Sequence, residues 1–589
     1  MENREIKKLA EQYIKFEKNK EFSDEVSKLL SDENYSELGD RFYTELDFGT
    51  GGIRGVIGGG YNRINPFIIK KTTQGLANYI NKAVSSSGSG EKRGSVAIAY
   101  DSRRFSPLFA KEAALVLCAN NIKVYLFTSL RPTPQLSFAV RELGCTAGIV
   151  ITASHNPAEY NGYKVSWSDG GQVVEPHDRL IIDEVRKSSG ENIREMREKD
   201  AVDKKLLQYI DREIDEPYLD MVKGCYLRPD LVREKGKTLK IVYTPLHGAG
   251  RIPVEKALKD AGIDVITVPE QAEPDGEFPT VKYPNPEEAS AMALALKLAG
   301  EVDADLVMGT DPDSDRIGIA VPDRDDGKGF TLINGNQLGS MLAYYILSTL
   351  KAQGRMPDKP AIIKTIVTTE LQRLIGESFG VTVYDVLTGF KWIADLIAGF
   401  EKTGENYVFG GEESYGFLVG TRVRDKDAVS AAVVTAEMTL FGRENGMSVL
   451  DFLNSIYEKY GYFRESQVSG TFKGQSGLKI MKNLMSSMRG TPPSDFDGIK
   501  VIETRDYKNR IIINNITLPE ADVLQFILEE RSMITVRPSG TEPKIKFYIS
   551  CREKPGKKLE QAKSDAADKA AAMEKDIKKI IDSANQGDS

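Results

Sequence analysis

The sequence predicts an α/β protein of several domains, each built on a largely parallel sheet covered by helices. Three observations carry this reading. Short apolar, β-branched runs alternate with longer helical patterns over most of the chain. A length of 589 residues exceeds what one core fills, and the size prior gives roughly three to five domains. A composition of 40% hydrophobic residues with 52 glycines is that of an ordinary globular protein able to bury those cores.

Taken in order, the N-terminal MENREIKKLAEQY is charged and helical in pattern, with no apolar signal core. Strands are predicted at Ser95–Tyr100, Lys123–Thr128, Gly148–Thr152, Leu239–Tyr243, Asp264–Val268, Leu306–Gly309 and Ala361–Thr365. Helical stretches such as Pro107–Asn120 and Pro253–Ala261 lie between them. Glu184 to Glu216 is highly charged with little apolar periodicity, which suits a surface connection. A second break falls at DRDDGKG, residues 323–329. After about residue 447 helices and strands mix, with Arg531–Val536 and Ile545–Ser550 the clearest strands. The tail from Lys557 places Leu559, Ala562, Ala566, Met573, Ile577 and Ile580 on one helical face, which predicts a helix packed on its domain.

Bulk properties exclude several functions. A net charge of −7 and a pI of about 5.5 argue against a nucleic-acid binder. Cys118, Cys145, Cys225 and Cys551 lack CxxC spacing, so neither a disulfide framework nor a zinc site is expected. Apolar runs such as Ser340 to Leu350 stop short of a membrane span. The expectation is a cytoplasmic protein that meets small molecules rather than nucleic acid or membrane.

Parallel sheets bind ligands at the carboxyl ends of their strands, so polar residues there hold the functional information. TASHNPAEYNGYK (152–164) follows the apolar run Ala147–Ile151 and delivers Ser154 and His155 to such an end. Ser154 can be a hydrolytic nucleophile, a turn residue or a carrier of a covalent group. In ADLVMGTDPDSDRIGIA (304–320), Asp311, Asp313 and Asp315 follow a strand at two-residue intervals. Three carboxylates that close repel one another unless a cation joins them, and hard oxygen ligands favour magnesium, manganese or calcium. An EF-hand is excluded because its sixth position would be Arg316 and its twelfth Pro322. A solvated acidic turn is the plainer alternative, and the strand context speaks against it.

RPSGTEPKIKFY (537–548) offers Arg537 as a fork for phosphate, hydroxyls at Ser539 and Thr541, and Gly540 for close backbone approach. No G-x-x-x-x-G-K-[ST] loop occurs, so the phosphate is expected on a small metabolite. GGEESYGF (410–417) sets Glu412 and Ser414 among glycines, groups suited to vicinal sugar hydroxyls. KIVYTPLHGAGRIP mimics a dinucleotide site, with Glu270 about twenty residues beyond Gly250. Pro253 occupies the place that needs a small residue for helix packing, so it reads as a structural turn.

Together these stretches resemble the α-D-phosphohexomutase family, most closely its bacterial phosphoglucomutase and phosphopentomutase-like branch. FGTGGIRG (48–55), TASHNPAEYNGYK, GTDPDSDRIG (309–318), LTGFKWI (387–393), GGEESYGF, RDKDA (424–428) and RPSGTEPK (537–544) occur in the family's order across nearly the whole chain. The resemblance implies four domains around a central cleft, three of related mixed α/β fold and a smaller C-terminal α+β domain. With the breaks above it assigns 1–210 to the serine loop, 211–325 to the metal loop, 326–447 to the sugar loop and 448–589 to the phosphate loop. Ser154 then resembles the family's phosphoserine; a G-x-S-x-G elbow, which a hydrolase would want, is absent around it.

The resemblance further implies that Asp311, Asp313, Asp315 and a phosphoserine oxygen on Ser154 hold Mg²⁺. Arg54 and Arg316 would face the reacting phosphoryl group, and His155 or Lys164 would move a proton or steady a phosphoryl oxygen. Thr388, Glu412, Ser414 and Lys426 match substrate contacts, while Arg537, Ser539, Gly540 and Thr541 match the grip on the non-reacting phosphate. The implied activity exchanges glucose 1- and 6-phosphates through glucose 1,6-bisphosphate, which also serves as activator. Mannose and pentose phosphates are the rival substrates, and a phosphatase or a non-catalytic sugar-phosphate sensor are the rival functions. Two departures bear on substrate: Thr388-Gly389 leads into Phe390-Lys391-Trp392 where another branch commonly has histidine, and Ala153 replaces Gly or Ser.

Overall fold

The computed structural model describes residues 2–46, 48–49, 51–86, 93–323, 329–472, 477–509, 511–513, 516–539 and 544–586. The chain forms two compact units. One comprises Met1–Ile333 with Ala394–Lys402 and Gly416–Leu440, the other Asn334–Ile393, Thr403–Tyr415 and Phe441–Ser589.

The first unit holds two sheets. One has six strands in the order Gly52–Val56, Tyr160–Trp167, Ala147–Ile151, Ser95–Tyr100, Lys123–Phe127 and Leu207–Ile210. Its last four strands run parallel, and Tyr160–Trp167 pairs antiparallel with both of its neighbours. Ala147–Ile151 is buried at every residue, as a central strand covered on both faces must be. The helices Pro66–Ser86, Ser106–Ala119 and Thr133–Glu142 supply that cover. Three N-terminal helices, Asn3–Phe16, Lys20–Ser31 and Tyr35–Phe42, join the same core through edge-on contacts of Tyr13 with Phe42, Tyr61 and Phe67.

The second sheet orders Gly329–Ile333, Ile317–Asp323, Leu306–Thr310, Lys240–Thr244 and Asp264–Thr267. Leu306–Thr310, Lys240–Thr244 and Asp264–Thr267 run parallel, and Ile317–Asp323 folds back antiparallel on both neighbours. Each sheet therefore sends one fully buried strand into a polar loop: Ala147–Ile151 into Ser154, and Leu306–Thr310 into Asp311.

The second unit contains the parallel strands Thr382–Val386, Pro360–Thr365 and Asn406–Gly411, with the helices Gly335–Ala352 and Leu371–Ser378 against them. It also contains an antiparallel sheet of Tyr462–Thr471, Lys544–Glu553, Met533–Pro538, Leu524–Leu528, Ile499–Asp506 and Asp495–Phe496. The tail helix Leu559–Gln586 lies on that sheet, burying Ala562, Ala566, Met573 and Ile577, with Leu559 and Ile580 half-buried.

One expectation needs correction. The charged stretch Glu184–Glu216 is more than a surface connection, because Leu207–Ile210 pairs in parallel with Lys123–Phe127. An edge strand needs few apolar residues, and here only Leu207 and Ile210 are buried, so periodicity gave no sign of it. The strands Ile317–Asp323 and Gly329–Ile333, which flank the 323–329 break, pair antiparallel from Ile319 with Ile333 to Asp323 with Gly329.

Candidate functional site

Ser154 stands just beyond its strand in the left-handed backbone region, φ 51°. An isolated serine rarely holds that conformation unless its surroundings impose it. Its N–H donates to Thr152 Oγ1 (2.8 Å), and its hydroxyl donates to Asp311 Oδ2 (2.7 Å). His155 Nδ1 lies 3.1 Å from the same Oγ.

Asp311, Asp313 and Asp315 are buried and converge, with one oxygen from each within 4.8 Å of the others. The loop is folded by its own carboxylate: Asp311 Oδ1 accepts from the N–H groups of Asp315 and Arg316, at 3.1 and 3.0 Å. Thr133 anchors it from the first sheet's side, donating Oγ1–H to Asp313 Oδ2 and N–H to the Asp313 carbonyl, both 2.9 Å. Lys164 Nζ contacts Asp313 Oδ2 at 2.9 Å, and Lys426 Nζ contacts Asp315 Oδ2 at 3.0 Å.

The electrostatics point to a cation. Burial and then the neighbouring carboxylates raise Asp311 well above the usual range. Burial, the largest single influence, opposes ionisation of Asp313, but Lys164, the hydrogen bond with Asp311 and Lys426 together outweigh it and hold that carboxyl low. The same exchange keeps the Lys164 ammonium above its ordinary value: burial is overcome by Asp313 and Asp315. His155 is driven down to about 2, first by burial and then by Arg316 and Arg54. Oδ1 of Asp313 and Oδ1 of Asp315 are buried without a hydrogen-bond partner among the described residues. Buried carboxylate oxygens left in that state suit a hard divalent ion, so the residues fit magnesium.

Arg54 extends from the strand Gly52–Val56, exposed, and donates to Asn156 Oδ1 at 3.0 Å, which puts it on the Ser154 loop. Arg316 is half-buried and pairs with Glu287 at 2.5 Å. In the second unit Gly389, φ 113°, turns the chain so that its N–H donates to Glu412 Oε1 at 3.0 Å, bringing the Thr388 and Glu412 loops together. Thr388, Glu412 and Ser414 are half-buried. Arg537 is exposed, and Ser539 N–H donates to the Lys544 carbonyl at 2.7 Å. Gly540 and Thr541 lie outside the described residues.

Comparisons with known proteins agree with this layout. The family models of phosphoglucomutase/phosphomannomutase α/β/α domains I, II and III match residues 45–191, 216–327 and 334–460. A phosphoglucomutase of Staphylococcus epidermidis is 36% identical over 519 residues, which cover 86% of this chain and 91% of that protein. The chain belongs to the phosphoglucomutase/phosphomannomutase family. A Staphylococcus haemolyticus phosphoglucomutase is likewise 36% identical, with 86% and 91% covered. The crystal structure of Paramecium pp63/parafusin shares the fold, with TM-score 0.68, 17% identity and 92% and 95% of the two chains covered.

As in this mutase family generally, three α/β/α domains precede a further C-terminal one. Sequence reasoning passed over Thr133, Glu287, Asp101 and Arg103. Asp101 and Arg103 follow the strand Ser95–Tyr100 directly, and the rule that polar residues at strand ends matter would have found them. Lys426, expected among the substrate contacts, has its ammonium 3.0 Å from Asp315 Oδ2.

Proposed function

We propose that the protein is a phosphoglucomutase that interconverts α-D-glucose 1-phosphate and glucose 6-phosphate through a phosphorylated Ser154. The observation that carries the reading is the 2.7 Å contact of Ser154 Oγ with Asp311 inside a buried trio of carboxylates. Ser154 donates its phosphoryl group to the free hydroxyl of the sugar monophosphate, giving glucose 1,6-bisphosphate. The bisphosphate turns end for end, and Ser154 recovers the other phosphoryl group. Asp311, Asp313, Asp315 and a phosphoryl oxygen on Ser154 would hold Mg²⁺, which supplies neutralisation of charge on the transferring group. Arg54 and Arg316 steady that group's oxygens. His155 or Lys164 moves a proton or steadies a phosphoryl oxygen.

On this reading Glu412 and Ser414 take sugar hydroxyls, aided by Thr388 and Lys426. Arg537, Ser539, Gly540 and Thr541 hold the phosphate that is not reacting. The protein is assigned to the cytoplasm, with sugar phosphates as its partners. Glucose is preferred over mannose by discrimination at C2, to which the Phe390-Lys391-Trp392 segment contributes. One misplaced hydroxyl contact is worth roughly 1–3 kcal/mol, so the preference lies between about tenfold and a few hundredfold.

The test is conversion of glucose 1-phosphate with Mg²⁺ and catalytic glucose 1,6-bisphosphate, with kcat/KM compared for glucose, mannose and ribose 1-phosphates. Isomerisation with glucose leading supports the reading. Release of free phosphate would make the protein a phosphatase, silence would make it a sensor, and a tenfold lead for ribose 1-phosphate would make it a phosphopentomutase.

A further inference from the structure

Arg103 is wholly enclosed, yet its guanidinium does not reach the Ser154 hydroxyl or the aspartates by any hydrogen bond. Instead it forks over four carbonyls of a single loop. Nη2 donates to the carbonyls of Ser154 (2.5 Å) and Asn156, and Nη1 to those of Pro157 (2.7 Å) and Tyr160 (3.0 Å). Asp101 stands 3.3 Å from Nε, and its Oδ1 accepts from the Arg103 N–H and from Ser106 Oγ, both at 2.9 Å. The far face of the guanidinium lies 4.9 Å from the ring of Phe278, itself buried and in left-handed backbone. That ring meets His247, and two residues further along, the Ala249 N–H donates to the Pro312 carbonyl at 2.8 Å, inside the aspartate loop.

We propose that Arg103 is the positioning residue that fixes Ser154 for phosphoryl transfer, and that Phe278 ties this clamp to the loop of Asp311, Asp313 and Asp315. The inference rests on the phosphoserine reading above. A buried cation is a poor device for stability alone, because desolvation offsets much of what its partners return. Its use here lies in geometry. Ser154 occupies a strained conformation that must be over-determined by its surroundings, and one rigid planar fork fixes four carbonyl acceptors between 154 and 160 at once. Lysine keeps the charge opposite Asp101 but cannot span the four carbonyls. Because near-attack geometry tolerates little displacement, a loosened loop slows transfer while leaving sugar phosphate binding intact.

The test uses the full-length Arg103→Lys and Phe278→Leu variants, with folding verified by circular dichroism and thermal unfolding. Labelling with [³²P]glucose 1,6-bisphosphate counts competent Ser154 sites, so kcat is expressed per phosphorylated site. For Arg103→Lys the expected result is a per-site kcat about tenfold to a hundredfold lower, with KM for glucose 1-phosphate within about twofold. The ³¹P resonance of phospho-Ser154 should broaden or move toward that of free phosphoserine. A residue needed only for folding would lower the number of labelled sites and leave per-site turnover alone. Per-site kcat within about twofold of wild type would overturn the proposal. Should Arg103→Lys fail to fold, Phe278→Leu decides: it keeps the four carbonyl bonds, and a loss of about threefold to tenfold is expected, whereas unchanged per-site turnover overturns the proposal. Wild-type protein that neither takes label at Ser154 nor isomerises the sugar phosphate would bring down the phosphoserine reading itself, whatever the variants do.

Discussion

The loops of Ser154 and Asp311–Asp315 differ from the loops of Glu412 and Arg537 in how their charges are kept. Ser154, Asp311, Asp313 and Asp315 are each at most 3% exposed, and the ammonium groups of Lys164 and Lys426 lie on these carboxylates. Arg537 is exposed, and Thr388, Glu412, Ser414 and Ser539 are half-buried. On the proposed function the physical demands differ in the same way. Groups that stabilise a moving phosphoryl charge act best when fixed in a dry, low-dielectric place before reaction. Groups that grip and release a sugar phosphate in two orientations must exchange with water at every cycle. If this division is right, damage to the first region lowers kcat and damage to the second raises KM.

The largest effect belongs to Ser154→Ala. Turnover should fall roughly 10⁴-fold or more, and intact mass should show no phosphoryl adduct. An adduct mapped elsewhere in a fully active Ser154→Ala protein would remove the enclosed region from the chemistry altogether. Next comes Asp313→Asn, with an expected loss of about 10²–10³ in kcat, since the carboxylate acts through charge felt in the transition state. A titration with Mg²⁺ should require more metal to saturate, and exhaustive chelation of wild-type protein should abolish activity. Activity that survives chelation would sever the carboxylate trio from catalysis.

Arg537→Ala tests the other side. A charge-assisted hydrogen bond to phosphate is worth about 1.5–3 kcal/mol, so KM for glucose 1-phosphate should rise about tenfold to a hundredfold with kcat changed only a few-fold. An equal fall in kcat and kcat/KM would show that the exposed loop acts in the transition state, and the comparison would break.

The enclosed region was also the more legible one, and the reason is physical. Buried parallel strands are continuous apolar runs, so Ala147–Ile151 and Leu306–Thr310 announce themselves and point to Ser154 and Asp311. The tail helix was readable through the 3.6-residue spacing of Ala562, Ala566, Met573 and Ile577. The strand Gly52–Val56 was not, because two glycines and an outward Arg54 in five residues leave no pattern to count. Nor were the partners of the site. That Lys426 reaches Asp315 across 111 positions, or that Arg103 clamps carbonyls at 154–160, depends on tertiary packing that no local period records.

The smallest expected effect concerns how the two regions store buried charge. Around Ser154 a buried carboxylate such as Asp313 has a lysine against it. In the C-terminal sheet Glu465, opposite Ser550, has a buried Oε1 with no hydrogen-bond partner among the described residues. Burial pushes its carboxyl up from 4.5 to about 7, against weaker opposing pulls from Thr369 and Arg464. The sign follows from linkage. Below about pH 4.5 both folded and unfolded chains are protonated here; between there and about 7 only the unfolded chain ionises, so stability falls as pH rises and then levels off. Glu465→Gln should remove that slope and stabilise the C-terminal domain by on the order of 1–2 kcal/mol at pH 8, with turnover little changed. Unfolding of wild type and Glu465→Gln followed from pH 4 to 8 measures it. Parallel pH profiles for the two proteins would mean that Glu465 finds a compensating partner, and that the C-terminal sheet keeps its charges as the Ser154 region does.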